Sequence, residues 1–118
     1  MRTVVLVAVG GAIGALARAG IVAAFGEQPW WGTLLVNVLG CLAIGYLLVT
    51  LQGSPRASTW WPFAVTGVLG GFTTFSALAV ETVVLASDTP VLALAYVVAT
   101  LVVGLVAVPL GASIASRR

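Results

Sequence analysis

Four long apolar runs separated by short polar segments form the main pattern of this chain. The runs cover about residues 3–25, 31–51, 60–86 and 91–114. Each is long enough to cross a hydrocarbon core of roughly 30 Å as a helix. Tryptophan pairs at positions 30–31 and 60–61 are typical of re-entry at the headgroup level. The pattern predicts an all-α integral membrane protein, with four transmembrane helices that form a single domain over residues 1–118.

The third run is interrupted near its centre. Gly70 and Gly71 are followed by Thr73, Thr74 and Ser76 inside a segment that must cross the bilayer. Lipid cannot hydrogen-bond the backbone groups that a break exposes, so a break is tolerated only against protein or beside a wet cavity, where transporters and channels hold ions. The sequence predicts a broken third helix. Two interpretations stay open: an ion or substrate site, or glycines that permit close packing and hydroxyls that bond to their own helix.

Polar residues also occur inside the other three runs. Arg18 follows glycines at four-residue spacing, and a charge inside a span faces a bundle interior or a wet vestibule unless it snorkels to the interface. Asn37 lies among small residues, where its amide serves either as interhelical glue or as a donor aimed into a polar pathway. Tyr96 and Thr100 form a hydroxyl stripe on the fourth run, for which packing and functional interpretations are comparable.

Composition narrows the function classes. The chain is 61% hydrophobic and 7% charged, against roughly 25% charged in soluble domains. It has no His, one Cys and three acidic residues, from which no catalytic or metal-ligand cluster can be assembled, so we expect no enzyme. Five scattered arginines do not make a nucleic-acid surface. The lone Cys41 is interpreted as a small packing residue.

Loop charges predict the orientation. An even number of spans places both termini and the second loop on one side, where the arginines collect, and the other side carries Glu27 and Asp88. By the positive-inside rule, both termini are predicted to be cytoplasmic in a multi-pass protein of the cell membrane. The arginines concerned are Arg2, Arg56, Arg117 and Arg118.

Three segments in order resemble the CrcB/Fluc family of fluoride channels, over nearly the whole chain. They are Gly10 to Arg18 in the first run, Gly32 to Gly40 in the second, and Gly67 to Ser76 in the third. The resemblance implies a dual-topology, antiparallel dimer of four-helix subunits with two fluoride pores and a structural Na⁺ at its centre. Its expected function is fluoride export that lowers cytoplasmic fluoride and gives fluoride resistance.

The resemblance also implies roles for particular residues. Backbone carbonyls of Gly70 and Thr73 would hold the Na⁺, and Arg18 would belong to a vestibule that draws anions in. Asn37 would donate to fluoride, and Phe75 would present the electropositive edge of its ring to the ion. The pore-lining set implied by the resemblance is Asn37, Phe75, Ser76, Tyr96 and Thr100.

One departure from the family pattern concerns the pore itself. Where the family continues with Thr and a second Phe, this chain has Ala77 and Leu78. In the family each pore pairs the first Phe of one subunit with the second Phe of the other. A homodimer of this chain would therefore lack one ring in both pores, and one-sided loop charges disfavour insertion in both directions. Dimerisation with itself is possible, but both features favour a heterodimer with a homologous, oppositely oriented subunit.

Two other function classes remain as alternatives. A small four-helix drug or cation exporter would also form an antiparallel dimer, but proton-coupled cation export needs a membrane-embedded carboxylate, typically in the first span, where this chain has Arg18. A pore-less structural partner subunit would explain Leu78, with the glycines serving packing alone.

Overall fold

The computed structural model describes residues 1–117 and consists of helices joined by short connections. Helix α1 is Arg2–Ala24, and α2 is Pro29–Leu51. The third span has two arms: α3 (residues 57–72) and α4 (Phe75–Asp88), and α5 is Pro90–Ser116. Four segments are long and apolar enough to cross a membrane, and no strand occurs in the described residues. The prediction of an all-α, four-span membrane protein with a broken third helix is confirmed.

Local chemistry explains where the helices begin. Pro29 and Pro90 open α2 and α5, where the missing N–H costs nothing and the fixed φ suits the first helical turn. Gly26 and Gly53 turn the first two connections with φ values of 55° and 73°, which favour glycine. These short turns bring consecutive helices back across the same slab.

Helix α3 changes its hydrogen-bonding pattern along its length. It starts as an α-helical turn, Ala57–Trp60, continues as a π-helix, Trp61–Leu69, and ends with Gly70–Phe72. The helix therefore begins before Trp60, where the apolar run starts, and Pro62 lies inside it. Pro62 has no N–H for the next α-helical bond, and π geometry begins at this point.

Three helix pairs pack through glycine, and the first is α1 with α2, where a Cβ at Gly32 would lie 2.8 Å from the Val22 Cα. A Cβ at Gly14 would overlap the Val68 carbonyl oxygen, so α1 and α3 approach at backbone distance. A Cβ at Gly45 would likewise overlap the Val108 carbonyl oxygen, which joins α2 to α5. Because lipid provides no hydrophobic drive for association, close van der Waals contact of this kind is what holds membrane helices together. The first span therefore pairs tightly with the third, and the second with the fourth.

Large apolar side chains mostly point outward. The described residues form a slab of 51 × 32 × 20 Å, and the long axis matches a bilayer of about 40–45 Å including headgroups. Val36 and Thr33 are the largest side chains that are fully buried. Small residues fill most of the interior, and leucines and valines cover the outside. This inverted pattern fits a protein whose solvent is lipid.

Replacing Gly14 with alanine tests the glycine contact. The new methyl group would overlap the Val68 carbonyl oxygen, so α1 and α3 must separate. We expect Gly14→Ala to lower the free energy of unfolding by about 1–3 kcal/mol, as overpacked sites do. Thermal unfolding in detergent measures the change. Gly20→Ala is the matched control, because nothing lies within 4 Å of a Cβ there. Equal effects of the two substitutions would contradict the packing model.

Candidate functional site at the helix break

The break in the third span consists of two extended residues. Thr73 has φ −82° and ψ 155°, and Thr74 has φ −150° and ψ 124°. The Thr74 side chain caps the new helix, since its Oγ1 accepts a hydrogen bond from the Ala77 N–H at 3.2 Å. The Thr73 hydroxyl donates back to the Leu69 carbonyl at 2.9 Å. The chain thus leaves one helix, crosses two residues and starts another inside the same span.

Asn37 of α2 holds this break through two hydrogen bonds. Its Nδ2 donates to the Thr74 carbonyl at 3.0 Å, and its Oδ1 accepts from the Thr74 N–H at 2.8 Å. The amide therefore substitutes for the helical partners that the extended residue has lost. One N–H of Nδ2 is left over, because an amide group carries two donor hydrogens.

Two backbone carbonyls at the break lose their ordinary helical donors. In a continuous helix the Gly70 carbonyl would accept from the Thr74 N–H, which here donates to Asn37 Oδ1. The Thr73 carbonyl would accept from the Ala77 N–H, which here donates to Thr74 Oγ1. These are the carbonyls that the family resemblance implies as Na⁺ ligands, and in both cases a side-chain oxygen has taken the donor.

Arg18 reaches the break from α1. Its Nε donates to the Gly71 carbonyl at 3.1 Å, and the residue is half-buried. The guanidinium satisfies a carbonyl near the end of α3 and leaves further N–H donors for another acceptor. Its placement in the helix bundle differs from simple snorkelling along lipid, because the contact is with the third span at the break.

A groove of about 520 Å³ opens beside the break. Its walls are apolar except for the Asn37 amide and the polar atoms of the three threonines Thr73, Thr74 and Thr100. On α2 and α5 the groove is lined partly by small residues, which are glycines and Cys41 with its lone thiol. The complete lining is Asn37, Gly40, Cys41, Ile44, Val65, Leu69, Gly70, Thr73, Thr74, Phe75, Leu78, Thr100, Leu101, Gly104, Leu105 and Val108.

The first residues of α4 differ sharply in exposure. Phe75 is 76% exposed, whereas Leu78, at the position of the missing second Phe, is 4% exposed. Both line the groove. Ser76 is exposed, and its hydroxyl lies 3.2 Å from Thr74 Oγ1. Phe75 is therefore an exposed aromatic ring at the edge of the groove, and Leu78 is part of its buried wall.

A second polar cluster, which was not predicted from the sequence, forms around Glu81 of α4, beyond the break. Thr33 Oγ1 donates to Glu81 Oε1 at 2.8 Å, and the Tyr96 hydroxyl donates to Glu81 Oε2 at 2.6 Å. Thr33 is 0% exposed and Tyr96 is 5% exposed. A carboxyl inside an apolar run was a signal in its own right, because intramembrane ionisable residues are functional candidates by default.

The residues expected to line a pore therefore divide between two places. Asn37, Phe75 and Ser76 lie at the break. Tyr96 joins the Glu81 cluster, and the Thr100 hydroxyl donates to the Tyr96 carbonyl of its own helix at 2.8 Å. Both hydroxyls of the α5 stripe therefore donate to acceptors within the chain. Thr100 lines the groove, but its hydroxyl hydrogen is already used in a hydrogen bond.

Comparisons with known proteins match most of the chain. A family model described as "CrcB-like protein, Camphor Resistance (CrcB)" matches residues 5–112. "Fluoride-specific ion channel FluC 2" of Thermobifida fusca is 50% identical over 107 residues, covering 86% of this chain and 79% of that one. "Fluoride-specific ion channel FluC" of Paracoccus denitrificans is 43% identical over 117 residues, covering 96% and 94%. Neither an exporter nor a pore-less subunit is favoured by these similarities.

Removing the Tyr96 hydroxyl tests the Glu81 cluster. Tyr96→Phe leaves Glu81 Oε2 without its donor, so we expect the free energy of unfolding to fall by about 1–2 kcal/mol. Thr82→Val is the control, because the Thr82 hydroxyl only bonds to the Leu78 carbonyl of its own helix and should cost less. Thermal unfolding of both variants in detergent decides; a Tyr96→Phe loss no larger than that of Thr82→Val would contradict a structural role for the cluster.

Proposed function

Because the chain belongs to the CrcB family, we propose that it is a fluoride channel that lets fluoride leave the cell and so lowers cytoplasmic fluoride. The names of the relatives support fluoride as the transported ion. We assign its path through the protein to the groove at the helix break. The chain is a multi-pass membrane protein with four spans, and the family is one of channels, not enzymes.

The observation that carries the proposal is the combination of Asn37 and Phe75 in one groove. Fluoride is a compact anion that must exchange its hydration shell for donors in the protein. The spare Nδ2 hydrogen of Asn37 is such a donor, and the edge of the Phe75 ring is electropositive. Apolar walls exclude water, which strengthens both interactions. Arg18 would add a positive charge near the entrance, and Glu81 would hold Thr33 and Tyr96 in position along the same helices.

The carbonyls of Gly70 and Thr73 are suited to the structural Na⁺. Carbonyl oxygens are good ligands for a hard cation, and these two have been released from their ordinary helical donors. Two oxygens from one chain leave room for two from a second chain. A bound Na⁺ would supply positive charge to backbone oxygens that lipid cannot satisfy.

The channel would be completed by a second subunit in antiparallel orientation. The groove is open along one side, and Phe75 projects from that side at 76% exposure. Leu78 lines the groove where a second aromatic ring would otherwise lie, so we favour a homologous partner that carries this ring over a second copy of the chain. In such a heterodimer, Phe75 would serve one intact pore.

The orientation proposal rests on charge. Arg2 lies next to the second loop, since its Nη2 donates to Thr59 Oγ1 at 2.8 Å, and Arg56 and Arg117 belong to the same set of loop and terminal arginines. Arg118, the fourth member of this set, lies outside the described residues. Both termini would then be cytoplasmic and the protein would reside in the cell membrane, the inner membrane where a cell has two.

Fluoride efflux from liposomes tests the channel function and the missing ring together. We expect purified native chain alone to conduct weakly, and Leu78→Phe to raise efflux by completing both pores of a homodimer. Phe75→Leu should lower efflux further, because it removes the remaining ring. Readings with a fluoride electrode, at matched protein-to-lipid ratio, give the rates.

The outcomes separate the proposals. If native chain and Leu78→Phe both pass fluoride and at equal rates, the main support for a heterodimer is removed, while the proposed channel function stands. If neither variant passes fluoride and co-reconstitution with a homologous subunit does not restore flux, the channel function itself is wrong.

Accessibility of engineered cysteines tests the orientation. In a Cys41→Ala background, a cysteine replacing Glu27 in the first loop should react with a membrane-impermeant maleimide in intact cells. A cysteine replacing Ser54 in the second loop should react only after permeabilisation. The reverse pattern would contradict cytoplasmic termini, and labelling of both in intact cells would indicate insertion in two directions.

A further inference from the structure

The carbonyls of Gly70 and Thr73 are kept apart from their helical donors by side chains of the same chain. The Thr74 N–H donates to Asn37 Oδ1 at 2.8 Å, and the Ala77 N–H donates to Thr74 Oγ1 at 3.2 Å. Each acceptor replaces a carbonyl four residues back in the helical pattern. The two diversions occur on consecutive turns, and in both the acceptor is a side-chain oxygen of the chain itself.

Without these side chains the N–H groups would turn to the carbonyls. A backbone N–H at bilayer depth must find an acceptor, because an unsatisfied group costs several kcal/mol in hydrocarbon. The nearest acceptor for the Thr74 N–H is then the Gly70 carbonyl, and for the Ala77 N–H it is the Thr73 carbonyl. Forming either bond would extend a helix across the break and occupy an oxygen that a cation needs.

Resting on the Na⁺ site of the proposed function, we propose that Asn37 and Thr74 are positioning residues that hold the Gly70 and Thr73 carbonyls open for the cation. Asn37 acts on both sides of the Thr74 peptide unit, since it also donates to the Thr74 carbonyl at 3.0 Å. Thr74 is buried, at 9% exposure, so its hydroxyl faces protein and not lipid.

Asn37 consequently has two separable tasks. Its Oδ1 and one N–H hold the break, and its second N–H is available to an anion in the groove. A substitution that keeps the acceptor and the donor to the Thr74 carbonyl, and removes only the second N–H, should therefore preserve the cation site and impair fluoride conduction. The protonated form of Asn37→Asp does this, because its C=O accepts from the Thr74 N–H and its O–H donates to the Thr74 carbonyl, so this variant is compared with native chain at acidic pH.

Na⁺-dependent thermal stability of the full chain, in detergent without fluoride, tests the proposal. The melting temperature is measured in N-methyl-D-glucamine chloride, then with added NaCl or KCl. A ligand that binds only the folded state raises the melting temperature, so native chain should be stabilised by Na⁺ beyond K⁺. Asn37→Leu and Thr74→Val should lose this Na⁺-specific rise. Asn37→Asp, Thr74→Ser and the helix-internal control Thr82→Val should keep it.

A Na⁺-specific rise that persists in Asn37→Leu or in Thr74→Val would overturn the role of that residue. Absence of the rise in native chain would overturn the cation site, whereas fluoride efflux from the same protein would show that the channel function stands. Asn37→Asp that keeps the Na⁺ rise but loses fluoride efflux would support two separate tasks, and loss of both would overturn their separation.

Hydrogen exchange in the native chain keeps the proposal falsifiable if the apolar variants do not fold. The Thr74 and Ala77 amides should remain protected when Na⁺ is replaced by N-methyl-D-glucamine, because side chains of the protein, and not the cation, determine their partners. Loss of that protection on removing Na⁺ would overturn the proposal.

Discussion

The requirement that every backbone polar group in a bilayer find a partner governs this structure. At Thr73 and Thr74 the third span abandons helical bonding, and two other helices supply partners at and beside the break. Asn37 of α2 satisfies both groups of the Thr74 peptide unit, and Arg18 of α1 satisfies the Gly71 carbonyl. The break is thus a junction at which α1 and α2 are hydrogen-bonded to the third span, and the groove opens beside it.

Much of the fold could be predicted from sequence because the lipid constraint acts on local pattern. Run length predicted four spans, and Gly70-Gly71 with the following hydroxyl residues predicted the broken helix. The start of α3 at Ala57 was not predicted, because the apolar run begins only at residue 60. Pro62 lies inside the helix, which changes to π geometry there. A proline can open a helix or lie inside one that changes its hydrogen-bonding pattern, and the sequence pattern does not distinguish the two.

The candidate site was predictable only in part. Asn37 and Arg18 were identified because polar groups in lipid need partners. That both bond to the backbone of the third span could not be predicted, because these contacts join helices that are distant in sequence. Glu81 was assigned no role, since its partners Thr33 and Tyr96 are 48 and 15 residues away in sequence. For Thr100, whose packing and functional interpretations were both open, the hydroxyl donates to the Tyr96 carbonyl of its own helix.

The glycine contacts have a consequence for how the chain is made. Its tight pairs are interleaved: the first span packs on the third and the second on the fourth, as the contacts of Gly14 with Val68 and of Gly45 with Val108 require. A ribosome delivers spans one after another, so neither pair can form from neighbours that emerge together. The first two helices meet each other at Gly32 and Val22, but the glycine faces around Gly14 and Gly45 stay uncovered until the third and fourth spans arrive. Both of these pairs are complete only after the fourth span has entered the membrane, because Gly45 has its backbone partner there.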